Sequence, residues 1–240
     1  MNIFKKIVLF GLPVAALLLG TGVQAGTEDE PQGGGLMPIK VSPYKKRPPV
    51  NAGTIAEGKR IYDDSCVYCH GVNGDGKGPV AYFLSRDTAP HPRDLTSGIY
   101  KFRSTASGEL PMDEDLFRTV SQGIPGFMPS FIGLDTEDRW KVVYYIKTLN
   151  EDFEGAEPPE LVKVVGGPIP STAGSIRAGY KVYQNFKCWE CHGGGGRGDG
   201  TKAPDLKDDW DFLLPPRNLT MRNSFKNGKR PEDLYRTIMA

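Results

Sequence analysis

Cys66-Val67-Tyr68-Cys69-His70-Gly71 and Cys188-Trp189-Glu190-Cys191-His192-Gly193 decide how this chain is read. They hold all four cysteines of the 240 residues and two of the three histidines. Each motif sits in the same frame. Ile55-Ala56-Glu57-Gly58-Lys59-Arg60-Ile61-Tyr62 precedes the first, and Ile176-Arg177-Ala178-Gly179-Tyr180-Lys181-Val182-Tyr183 the second. Pro92-Arg93-Asp94-Leu95-Thr96 returns as Pro216-Arg217-Asn218-Leu219-Thr220. Asp115-Leu116-Phe117-Arg118-Thr119 returns as Asp233-Leu234-Tyr235-Arg236-Thr237. The copies are offset by 118 to 124 residues in unbroken order, the mark of an internal repeat.

The motif spacing has a chemical reason. On a helical turn, residues i and i+3 share a face, so both thiols reach the two vinyl groups of one porphyrin, and the histidine that follows presents its imidazole to the iron. Cys-x-x-Cys-His is accordingly the attachment signal of a c-type haem. Two such motifs predict two covalent haems, on Cys66 and Cys69 with His70, and on Cys188 and Cys191 with His192. A redox dithiol fits less well, because no βαβ pattern surrounds the motifs. One zinc shared by two cysteine pairs would not require a histidine in each. Exported disulfides would leave both histidines as coincidence.

An iron held by one imidazole takes a sixth ligand or keeps an open position. Met128, in Gly123-Ile124-Pro125-Gly126-Phe127-Met128-Pro129, is the candidate in the first repeat: thioether sulfur is a soft ligand, and the flanking Gly and Pro suit a rigid loop over a flat ring. His91 is the second choice and reads as a surface-loop residue. A carbonyl near Pro79 or Pro204 is expected to accept the Nδ1–H of each histidine. Arg93, Arg217, Lys101 and Arg103 are candidate partners of the haem propionates.

Composition bounds the rest. Thirty Lys and Arg against 29 Asp and Glu exclude nucleic-acid binding by bulk positive charge. At 38% hydrophobic residues the chain is no polytopic membrane protein. Gly and Pro make up about a fifth of it, against about 12% on average, which predicts long loops. Residues 1–25 read as a secretory signal: Lys5 and Lys6, an apolar run from Ile7 to Leu19, and a cut before Gly26. An uncleaved anchor is the alternative. The expected location is periplasmic. Residues 26–50 form an extended lead-in, 51–150 a first domain, 151–170 a Pro-bearing linker and 171–240 a second domain.

The elements read as all-α. Thr54 to Glu57 forms a capping-box pattern opening a helix whose apolar face carries Ile55, Gly58 and Tyr62, with Ile176, Gly179 and Tyr183 as counterparts. Glycine on that face admits a crossing helix. The partner in the first repeat begins after Asp135-Thr136 and runs from Glu137 to Leu149, with Val142, Tyr145, Ile146 and Leu149 on one stripe and Trp140, Val143 and Tyr144 on the next. Pro111 and Pro231 suit the opening turn of a further helix.

On these residues, over 51–240, the chain resembles the class I cytochrome c family, as a tandem di-haem protein of bacterial type. The resemblance implies first and last helices packed across each other, one exposed haem edge and electron shuttling between redox partner proteins, a membrane-bound oxidoreductase complex among them. The second copy departs from the pattern. The counterpart of Met128 would fall at position 246, past Ala240, and Met239 aligns with Ser121. A fragment of a longer chain is expected, with non-equivalent ligation by Met239 or Met221, or a five-coordinate iron, as the other readings. The expected function is electron transfer, not catalysis. The alternative is a peroxidase-like di-haem enzyme, or a small-ligand-binding protein with an open second iron.

Overall fold

Asn51, rather than Thr54, opens the first helix. Its side-chain oxygen accepts the Thr54 N–H at 3.0 Å, and the Thr54 hydroxyl accepts the Asn51 N–H at 3.1 Å. The capping box therefore lies three residues upstream of the one expected, because Asn caps as well as Thr does and Thr54 serves better as the answering residue. In the computed structural model, which describes residues 47–83, 90–157 and 159–239, the α-helices are α1 (Ala52–Ser65), α2 (Val67–His70), α3 (Asp113–Gln122), α4 (Thr136–Lys147), α5 (Ala173–Asn185), α6 (Trp189–His192) and α7 (Pro231–Met239). Short 3-10 turns and long loops join them, and the described residues contain no strand beyond isolated bridges. The fold is all-α, as expected. The signal segment 1–25 and the lead-in up to residue 46 lie outside the described residues.

The core forms where α1 crosses α4. A Cβ on Gly58 would stand 2.0 Å from the Lys141 carbonyl oxygen, so only glycine allows this approach. Ile61 and Tyr62 fill the α1 side, and Ile55 packs at its edge. Both stripes of α4 are covered: Trp140, Val142, Val143, Tyr144, Tyr145 and Ile146 are all buried. Phe117 of α3 stacks on Trp140 at 4.2 Å with the planes 17° apart. Such offset aromatic packing adds about 1 kcal/mol beyond area burial.

α5 repeats the start of α1 but not its packing. Thr172 caps it with Ser175 answering. Yet α5 buries none of its residues, Ile176 is 63% exposed, and Gly179 has nothing within 4 Å of an added Cβ. The crossing expected at Gly179 is absent among the described residues. Pro231 opens α7 as expected, whereas Pro111 lies two residues before α3. There Asp115 closes the turn, its carboxylate accepting the N–H of Met112 at 3.1 Å and of Ser104 at 2.7 Å.

Both repeats lie within one compact unit. Buried Arg118 on α3 donates to the Asn227 side-chain oxygen at 2.8 Å and stands 3.9 Å from the fully buried Asp233 carboxylate on α7. In the segment expected to be a linker, Val162 N–H donates to the Ser104 carbonyl at 2.8 Å. No described helix is long and apolar enough to cross a membrane.

Candidate functional site

Each Cys-x-x-Cys-His motif folds as one short helical turn, α2 or α6, held by several matching bonds. The Tyr62 hydroxyl donates to the Gly71 carbonyl at 2.7 Å, and Tyr183 to Gly193 at 2.6 Å. Gly76 N–H donates to the His70 carbonyl and Gly198 N–H to that of His192, each at 2.9 Å. Gly76 and Gly198 adopt φ of +74° and +83°, and a Cβ on either would collide with the carbonyl of Pro92 or Pro216. Glycine is required there, where the loop after the motif meets the Pro-Arg segment.

That segment orients the histidines. His70 Nδ1 lies 2.9 Å from the Arg93 carbonyl oxygen, and His192 Nδ1 lies 2.9 Å from that of Arg217. Each Nδ1–H donates to a carbonyl, which leaves Nε2 as the lone-pair nitrogen. The expectation that a carbonyl near Pro79 or Pro204 plays this part is corrected. Pro79 opens a 3-10 turn and Pro204 lies in another, while the Pro-Arg segment is brought back beneath the motif by the Leu95 N–H bond to Gly74 and the Leu219 N–H bond to Gly196. Burial lowers the His70 pKa, the hydrogen bond to Arg93 opposes this, and the nearby Arg93 charge adds to it, so neutral imidazole is favoured.

A cavity of about 1720 Å³ opens over the first motif. Cys66, Cys69, His70 and Met128 all line it, together with Tyr100, Leu116 and Val120. Met128 closes a tight hairpin: Ile124 N–H donates to the Met128 carbonyl at 2.9 Å, and Met128 N–H to the Ile124 carbonyl at 3.0 Å. The sequence-based expectation of a rigid Gly-Pro loop here matches this geometry.

The lining also tests the dithiol alternative. A redox-active cysteine has its thiol pKa lowered by nearby positive charge. Burial, and then Cys69, instead push the Cys66 thiol up to about 11. The residues suit a porphyrin better. The cavity is mostly apolar, and two buried nitrogens on its wall, the donor Arg93 Nη1 and His91 Nε2, have no hydrogen-bond partner among the described residues. Unpaired buried nitrogens beside an apolar slot match a flat hydrophobic ligand with carboxylates at its edge.

Two expectations change here, those for His91 and Arg103. His91 is partly buried rather than open to the surface, since its ring stacks on Phe212 at 3.9 Å. Arg103 lines the cavity, but its Nε and Nη1 already donate to the carbonyls of Ala106 and Tyr100. Met221 and Met239 are both more than half exposed. Sequence reasoning missed Trp210, Phe212 and Lys226, which line the first cavity from the second repeat. The two Tyr anchors were visible as matched positions in the repeat, but not their role.

Residues 55–150 match the family described as Cytochrome c. A chain of the Kuenenia stuttgartiensis reducing HAO-like protein complex is similar in structure, with a TM-score of 0.69 and 43% identity, over 75% of this chain and 80% of that one. No curated protein matches the sequence.

Proposed function

The chain belongs to the cytochrome c family, and on that premise we propose that it is an exported di-haem electron carrier serving a larger oxidoreductase. The family domain implies covalent haem c with iron and haem-based electron transfer. In our reading Cys66 and Cys69 would hold the first haem through thioethers, and His70 and Met128 are the residues that would bind its iron. Cys188, Cys191 and His192 hold the second. The observation that carries this is the convergence of His70 and Met128 on one cavity beside the cysteine pair.

Haem iron supplies one-electron exchange when bound. The residues around it do the rest. The Arg93 carbonyl fixes the His70 tautomer and turns Nε2 toward the cavity side of the motif. The Ile124–Met128 hairpin presents a soft sulfur without a mobile approach, which favours the reduced state and raises the potential. Tyr100, Leu116 and Val120 exclude water, so little reorganisation accompanies the change of charge. The periplasm is the proposed location, supported by the signal-like residues 1–25. The similar chain is part of a reducing HAO-like protein complex, which supports a role as an electron-transfer subunit docked on such a partner.

Mass spectrometry of the protein matured in a haem-attaching host tests this. The expected mass carries two haem adducts, and a mass without them overturns the proposal. Met128→Ala is expected to lose the sulfur-to-iron absorption band and lower the first potential, and unchanged values would remove Met128 as ligand. Spectra insensitive to carbon monoxide and peroxide support a carrier. Peroxide turnover at the second haem would favour the enzyme reading.

A further inference from the structure

The first repeat does not enclose its cavity alone. Trp210, Phe212 and Lys226 of the second repeat form part of the wall. The Arg93 guanidinium lies 4.5 Å over the Trp210 ring. The His91 ring stacks on Phe212 with the planes 24° apart. Each of these two residues has one buried nitrogen, Arg93 Nη1 and His91 Nε2, with no hydrogen-bond partner among the described residues. Both thus pack against aromatic rings of the other repeat, each with that one nitrogen unused.

Charge converges at the same junction. The Lys226 ammonium sits 4.2 Å from the Phe127 ring, and the Arg217 guanidinium is 5.6 Å from that ring. Phe127 directly precedes Met128. Lys101 lines the cavity with Lys226 and Arg93. Asp208 and Asp209 offset part of the charge on Arg93 and Lys101. Burial, then Arg217, Lys101 and Arg93, push the Lys226 ammonium down to about 8. Arg93, Arg217 and Lys226 are partly buried and Lys101 is exposed, and cations crowded together away from bulk water are unfavourable unless an anion joins them.

Resting on the haem reading above, we propose that the second repeat completes the first haem's chamber. Trp210 and Phe212 clamp Arg93 and His91, and these donors with Lys226 form a seat, assembled across both repeats, for the two haem carboxylates. The chemical class of the ligand is fixed by the donors: a guanidinium, an imidazole N–H and an ammonium around an apolar slot suit carboxylates on a hydrophobic ring. The first haem's potential then depends on residues of the second repeat. A cation beside the carboxylates favours the reduced iron, which carries one positive charge fewer than the oxidised form, so removing that cation lowers the potential.

Redox titration of the two-haem protein, followed through the Met128-dependent band, tests this. Lys226→Gln is expected to shift the oxidised-to-reduced ratio about threefold toward oxidised at fixed potential, about 28 mV at 59 mV per tenfold for one electron. Lys226→Arg keeps the charge and is expected to stay at the parental value. Lys181→Gln removes one charge from the exposed face of α5 and is expected to leave the first haem unchanged. Trp210→Ala, which frees Arg93, is expected to lower the potential with both haems still attached. Replacing chloride by inorganic phosphate at constant ionic strength is expected to change nothing, because the seat is filled. A phosphate-dependent shift would mean a seat open to free anions and overturns the proposal. So does a Lys226→Gln potential equal to the parent, or one matched by Lys181→Gln, in a protein carrying both haems. A parent protein without haem overturns the carrier reading itself, so the two failures are distinct.

Discussion

Gly58 and Gly179 hold the same place in the two repeats and meet opposite surroundings. A side chain on Gly58 would strike the Lys141 backbone, whereas one on Gly179 would meet nothing within 4 Å. Around the motifs, by contrast, the repeats share their main anchoring bonds. Tyr62 and Tyr183, Gly76 and Gly198, and His70 and His192 each make matching contacts, with distances alike to 0.1 Å. The difference teaches that the motif cradle is built from contacts within some 30 residues of chain and forms in both copies. The helix crossing is a separate layer that needs a partner helix, which α1 has in α4 and α5 lacks among the described residues.

Substitutions at paired positions can break or sharpen that comparison. The largest effect is expected from the histidines. His70→Ala and His192→Ala should each reduce haem content from two to one, counted by mass and absorption. Equal two-haem content in either variant would show that the matched cradles do not mark two haem sites. Next come the glycines. Gly58→Ala is expected to cost about 3 kcal/mol, because a backbone carbonyl cannot yield as a side chain does. Gly179→Ala is expected to stabilise by about 0.7 kcal/mol through helix propensity alone. Thermal melting of the two variants measures both signs, and a destabilised Gly179→Ala would reveal a helix partner for α5. The smallest effect is expected at the tyrosines. Tyr62→Phe should cost about 1 kcal/mol, since Tyr62 is fully buried, and Tyr183→Phe roughly half as much, because solvent can replace the lost hydroxyl.

Much of the site was legible because its signals are local. Cys66, Cys69 and His70 lie on one turn, Met128 sits among the Gly and Pro that form its hairpin, and both apolar stripes of α4 are written at helical spacing. The acceptor of the His70 Nδ1–H was not legible. It is a backbone carbonyl 23 residues away, and carbonyls carry no residue signature. His91 read as a surface residue because Phe212, the ring that covers it, is 121 positions distant. Arg103 read as a propionate partner because its charge was visible while the carbonyls of Tyr100 and Ala106 that occupy it were not.

By itself the sequence determined the repeated units, the two Cys-x-x-Cys-His motifs and the helical class, since each rests on spacing along a single stretch of chain. Only the tertiary structure decided that Arg93 and Arg217 orient the histidines, that α1 is crossed and α5 is bare, and that the second repeat walls the first cavity. Those features depend on which distant surfaces meet. Packing and desolvation select that meeting over the whole molecule, and no local pattern of residues encodes it.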